Sequence, residues 1–179
     1  MGCLSCPNQE TNPDSDYVNK IKALSFHNRY RKMHKIKDLR LSKNLCEKAK
    51  KKISKLIEKD DDEFIDDEDE DEDEDEECGE NLYISYQGKI DVEKIYQYWY
   101  DEKNKYDFSK NKYQKGTGHF TQMIWKGTEK VGFEWEESSK NNKFYFLAYY
   151  YPAGNEVGKF KENVLVEAKK PQKENSILV

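Results

Sequence analysis

The chain has 179 residues, 37% of them charged and 35% hydrophobic, so it can build one domain with a modest core if the charge is kept apart from that core. The net charge of −5 hides such a separation: 16 of the 36 acidic residues stand in the 18-residue run Asp60 to Glu77, and the other 20 face 31 lysines and arginines, which leaves +11 outside the run. No apolar stretch approaches the roughly 20 residues of a membrane-spanning helix, and residues 1–25 lack the apolar centre of a secretory signal. Four cysteines, Cys3, Cys6, Cys46 and Cys78, are too few for a disulfide-dense scaffold, and a cytosolic start predicts reduced thiols.

Residues 1–13 carry no apolar periodicity and read as a flexible arm. A first helix is predicted from a cap at Asp14, Ser15 or Asp16 to about His34, with Tyr17, Ile21, Leu24 and Asn28 as its repeating face. Ser42 can cap a second helix whose Leu45, Ala49, Ile53, Leu56 and Ile57 form one stripe beneath a lysine-rich face. The run from Asp60 to Glu77 repels itself and has almost nothing to bury, which predicts a solvated, disordered insertion. Order is expected again from Cys78, and Asp91 can cap a third helix bearing Val92, Ile95, Tyr96 and Trp99. At 100° per residue, Glu102 falls on that apolar arc and needs a partner there. Gly116 and Gly118 precede His119 in a tight approach to Phe120–Trp125, and the β-rich runs Val131–Glu136 and Lys143–Tyr151 are predicted to pair as a hairpin.

The run Gly118-His119-Phe120-Thr121-Gln122-Met123-Ile124-Trp125, followed by Tyr150-Tyr151-Pro152-Ala153-Gly154-Asn155, resembles the two signature motifs of the CAP superfamily of cysteine-rich secretory, antigen 5 and pathogenesis-related proteins. His27-Asn28, Tyr30-Arg31, Gly79-Glu80-Asn81-Leu82 and Trp99-Tyr100-Asp101-Glu102 add matches in family order. The resemblance implies an α/β fold, an α-β-α sandwich with a central antiparallel sheet and helices on both faces, over residues 14–166, with 167–179 a flexible tail. Ala148 stands where secreted members place a disulfide cysteine, so the chain looks most like an intracellular branch of the family.

The family's cleft holds two histidines and two glutamates, and the resemblance carries over Glu80, Glu102 and His119; the second histidine's region is occupied by the acidic run. One imidazole with two carboxylates is a poor zinc set, which leaves His119 as a weak candidate for a divalent metal and no other cofactor expected. His34 is a spatial substitute only if it leaves the solvent that an exposed helical histidine normally faces. Ser85 and Thr121 lie near the matched segments, outside any nucleophile motif. Three readings of the cleft follow: a structural hydrogen-bonded network, a weak metal or ligand site, or an enzyme. Gly2 is a candidate for myristoylation and Cys3 and Cys6 for palmitoylation, although Cys6 replaces the favoured Ser or Thr and the hydroxyl sits one place early, at Ser5. These features predict a non-enzymatic protein on the cytosolic face of membranes, Golgi membranes among them. The resemblance implies acidic phospholipid or sterol binding and homodimerisation; protein partners are also expected, and nucleic acid is not. An extracellular effector and a cleft hydrolase are the alternatives. The acidic run is read either as an electrostatic shield over the basic body or as an insertion without a role.

Overall fold

A computed structural model describes residues 13–59, 77–140 and 142–168. The proposed acylation sites and all of the acidic run but Glu77 lie outside the described residues. In chain order the elements are helix α1 (Pro13–Met33), strand β1 (Arg40–Leu41), helix α2 (Lys43–Lys59), β2 (Gly79–Ser85), α3 (Val92–Asp101), a 3-10 turn (Glu102–Lys105), α4 (Gly118–Met123), β3 (Lys130–Glu137), β4 (Phe144–Tyr151) and α5 (Phe160–Asn163). The sheet order is β1-β3-β4-β2. β4 pairs antiparallel with both β2 and β3, so the expected hairpin forms, whereas β1 adds to β3 in parallel and makes the sheet mixed.

β4 runs through the centre, which explains why its sequence shows no alternation. Phe144, Phe146, Ala148 and Tyr150 face α1, α3 and α4, while Tyr145, Leu147 and Tyr149 face α2, and all seven are buried. α2 covers its face alone with Leu45, Ala49, Ile53 and Leu56, and the Ser42 hydroxyl accepts from Leu45 N at 3.4 Å as the sequence predicts. It lies so close to β3 that a Cβ at Gly132 would collide with the backbone of Leu45 and Cys46. Asp91 caps α3 by accepting from Glu93 N, again as predicted. Cys46 packs behind β3, where its sulfur accepts from Phe133 N, and Cys78 opens the approach to β2.

α1 departs from expectation. It already includes Pro13, so Asp14, Ser15 and Asp16 belong to its first turn and do not cap it. Tyr17 and Ile21 face solvent, Leu24 and Asn28 turn inward as expected, and the buried arc adds Lys20, Ala23, His27, Tyr30, Arg31 and His34. This helix docks by polar contacts. Asn28 exchanges two hydrogen bonds with the backbone of Leu39, at 3.1 and 2.9 Å, and Lys20 reaches Glu134 on β3 at 3.1 Å. At the other end, Ala168 N donates to Met33 O, so the ordered body includes Glu167 and Ala168, two residues past the boundary set by sequence.

Candidate functional site

The helices meet the sheet around the short helix α4. The Glu102 carboxylate leaves the end of α3 and spans two targets: Oε1 accepts from His119 Nδ1 at 2.7 Å, and Oε2 accepts from Phe120 N at 3.0 Å. The second bond satisfies a free amide in the first turn of α4, where a negative charge also meets the positive end of the helix. The partner that the helical arithmetic required for Glu102 is therefore His119. The imidazole lies nearly parallel to the Trp99 ring, with centroids 5.7 Å apart and planes at 13°, and its side chain is 39% exposed. With Nδ1–H committed to Glu102, Nε2 is the atom turned outward. The backbone carbonyl of His119 accepts from Asn81 Nδ2 at 3.1 Å, and the same amide reaches Tyr150 Oη at 3.3 Å.

Glu80 does not join this pair. It stands opposite Tyr149 in the β2–β4 register, and strand alternation sends it to the face of Leu82 and Tyr149, which α2 covers, whereas Asn81 points to α4. Among the described residues no group of three His, Cys, Asp or Glu is placed to hold a metal. The donor set also argues against one: both Glu102 oxygens are already used, leaving a single outward imidazole nitrogen. The described residues do not fit a zinc ion.

His34 is not a solvated surface histidine, as the sequence suggested; it is buried against Tyr100 and Phe120. Its Nδ1–H donates to Leu165 O at 2.7 Å, and Tyr100 Oη donates to Nε2 at 2.9 Å. It is thus occupied elsewhere and does not replace the missing cleft histidine. His27 is fully buried among Tyr96, Phe133 and Tyr150, with Nε2 donating to Met123 O at 3.2 Å. Burial first, then the nearby Arg31 charge, lowers its pKa to about 3.

The signature motifs mostly hold each other. Gln122 Oε1 accepts from Gly154 N at 2.9 Å, and its amide nitrogen donates to Thr128 Oγ1 at 3.3 Å, which in turn donates to Pro152 O at 2.9 Å. A Cβ at Gly79 would collide with the Gln122 amide, and one at Gly154 would lie 2.7 Å from it, so two glycines form the slot for this side chain. The Thr121 hydroxyl lies 2.5 Å from Asn155 Oδ1, and Asn155 Nδ2 donates to Gly118 O at 3.0 Å. Arg31 was noted in sequence only as a motif match. Its guanidinium, 0% exposed, donates to the carbonyls of Lys37, Met123, Trp125 and Thr128 at 2.8–3.1 Å. A buried arginine satisfied by carbonyls gives no periodic signal in a sequence.

Chemically, a carboxylate-oriented imidazole is part of a general-base arrangement, which also needs a nucleophile or an activated water. Thr121 is fully buried and bonded to Thr117 O and Asn155. Ser85 lies four residues along β2 from Asn81, about 13 Å at strand spacing. Neither hydroxyl stands beside His119.

This sheet, the interlocked motifs and the carboxylate–imidazole pair define a CAP domain. The family model described as the cysteine-rich secretory protein family matches residues 24–150, and the chain belongs to that family. It is 37% identical over 153 residues to the Golgi-associated plant pathogenesis-related protein 1 of Homo sapiens, covering 80% of this chain and 90% of that protein. It is 30% identical over 152 residues to the secreted protein PRY1 of Candida albicans, covering 84% of this chain and 33% of that longer protein. Among solved structures, venom allergen-like protein 4 of Schistosoma mansoni has a TM-score of 0.62 at 24% identity, over 85% of this chain and 96% of that one, a likeness of fold. Among the described residues, no helix is long and apolar enough to cross a membrane.

Proposed function

We propose that this chain is a non-catalytic CAP-domain protein, held on the cytosolic face of membranes by acyl groups on Gly2 and on Cys3 or Cys6, where it binds acidic phospholipids, sterol or protein partners. The observation that carries the non-catalytic part is the commitment of Glu102: one oxygen orients His119 and the other caps α4, while the nearby Thr121 hydroxyl is buried and bonded to Thr117 O. The pair then serves as a brace between α3 and α4. Support for the membrane part comes from the Gly2-Cys3 start, the +11 body and the likeness to a Golgi-associated relative. Two acyl chains, or one with a basic surface, hold a protein stably where a single myristoyl chain does not.

Intact-mass measurement of the protein from its own cells reads the acyl groups directly, and fractionation of Gly2→Ala reads their consequence. Loss of the variant from membranes is expected; a variant that stays there overturns the anchor. Release of the unmodified protein into the medium would instead favour the extracellular alternative.

A hydrolytic reading is favoured by one feature, the 39% exposure of an imidazole whose Nδ1 is already oriented. The variants His119→Ala, Glu102→Gln and Glu80→Gln test it. An ester or peptide hydrolysis abolished in the first two, with folding kept, would replace the non-catalytic reading.

A further inference from the structure

Of the face that the periodicity of α1 predicts, Leu24 and Asn28 turn inward, whereas Tyr17 and Ile21 lie outside together with Val18. Tyr17 is 61% exposed, Val18 63% and Ile21 40%. At 100° per residue these three share an arc with Lys22, Ser25, Arg29 and Lys32, all exposed. From Tyr17 to Ile21 this face is therefore apolar, and from Lys22 onward it is cationic. Arg29 is paired with Glu93 at 2.9 Å and Lys32 with Asp38 at 3.1 Å, but pairs this exposed contribute about 0–1 kcal/mol and leave the cations open to stronger anions. The Lys22 ammonium lies 5.7 Å from the Phe26 ring centroid, beside the apolar patch.

We infer that this outer face of α1 is the surface by which the domain contacts an anionic lipid bilayer. The inference deepens the membrane reading above and rests on it. The chemistry matches the occupant: Tyr17, Val18 and Ile21 enter the headgroup boundary while Lys22, Arg29 and Lys32 meet lipid phosphates and carboxylates. The convex shape matters too. Three side chains projecting from one helix offer far less area than the roughly 800 Å² per partner of a stable protein interface, whereas a bilayer accepts a convex helical face. The position agrees as well. The 12 residues that precede Pro13 join α1 at its apolar end, so an acyl tether at Gly2 delivers that end first. Fully extended, such an arm reaches about 40 Å, and a contact at its root shortens the distance the tether must bridge.

The test uses the full chain expressed without acylation, so that surface contact is read apart from the tether. The probes are phosphatidylcholine vesicles with and without about one-third phosphatidylserine, assayed by co-sedimentation. The wild-type chain is expected to sediment with the anionic vesicles and not with phosphatidylcholine alone. Tyr17→Ser/Val18→Ser/Ile21→Ser is expected to lower partitioning roughly tenfold, and Lys22→Glu roughly fivefold. Val157→Ser/Val166→Ser, which removes side chains 90% and 64% exposed in loops elsewhere, is expected to bind as wild type. Thermal melts of the variants should stay close to wild type, since Tyr17 and Val18 are mostly exposed and Ile21 lies outside the buried core. The inference is overturned by an unchanged triple variant, by an equal loss in the loop control, by equal binding to both vesicles, or by no binding at all. A chain that ignores vesicles but self-associates through Tyr17, Val18 and Ile21 assigns the face to a second copy and overturns it too. Because the protein is unacylated, these results stand apart from the Gly2→Ala fractionation that judges the anchor.

Discussion

Arg31 concentrates more of the architecture in one side chain than any apolar residue of α1. Four carbonyls from three segments converge on it, and burial lowers its pKa only to about 10, so the charge persists at neutral pH. Removing the guanidinium leaves buried acceptors without donors. Arg31→Met is expected to cost about 3–5 kcal/mol in chemical denaturation, and Arg31→Lys somewhat less because an ammonium cannot span the same acceptors. His27 gives a pH dependence. Its folded pKa of about 3 lies below the ordinary 6.5, so the unfolded chain takes up the proton first. Its contribution is complete above about pH 6.5, falls as the pH drops, and is exhausted near 3. At pH 5 the loss is about 2 kcal/mol, and His34, also lowered chiefly by burial, acts in the same direction. Urea melts at pH 7 and 5 should show it, with a smaller difference in His27→Gln, whose amide can still donate to Met123 O. Gly154→Ala tests the glycine slot: the added methyl meets Gln122, and a loss of about 1–3 kcal/mol is expected from thermal unfolding.

Among the elements, α2, α3 and the β3–β4 hairpin were legible in the sequence because apolar side chains do their packing, and apolar periodicity reports that kind of packing. α1 was legible as a helix and illegible in orientation. Its docking face is Lys20, His27, Asn28, Arg31 and His34, each satisfied by a partner distant in sequence, while Tyr17 and Ile21 carry the periodic signal on the wrong side. The cleft divides in the same way. Glu102 meets His119, as a carboxylate on an apolar helical arc demands a nearby donor. Glu80 was grouped with them by motif alone, and only the register of β2 against β4 reveals that it points to the other face. The segment 164–168 was read partly as tail, yet it closes over the end of α1 through His34, Tyr100 and Lys103, whose ammonium pairs with Glu167 at 2.6 Å. Truncation after Asn163 should therefore lower the melting temperature by several degrees, and His34→Leu should reproduce much of that fall because Tyr100 loses its acceptor. A truncated chain as stable as wild type would show the segment to be passive.

At the scale of the whole molecule, charge is the dominant asymmetry. Deleting Asp60–Glu77 changes the net charge from −5 to +11. Binding to anionic vesicles is expected to strengthen, with a steeper decline as salt is added, while binding to neutral vesicles stays as it was. Equal binding before and after the deletion would leave the run without an electrostatic role. The junctions on either side of the run are both anchored: the last turns of α2 are held by buried Ile53 and Leu56, and the chain re-enters the body at Gly79, whose missing side chain admits Gln122. Lengthening a connection between two such fixed points costs only about 0.6 kcal/mol per doubling. A fluorescent reporter or an affinity tag spliced in after Lys59 would accordingly leave the domain's architecture undisturbed, making this junction a ready place to label the protein without touching either the first helix or the chain's beginning.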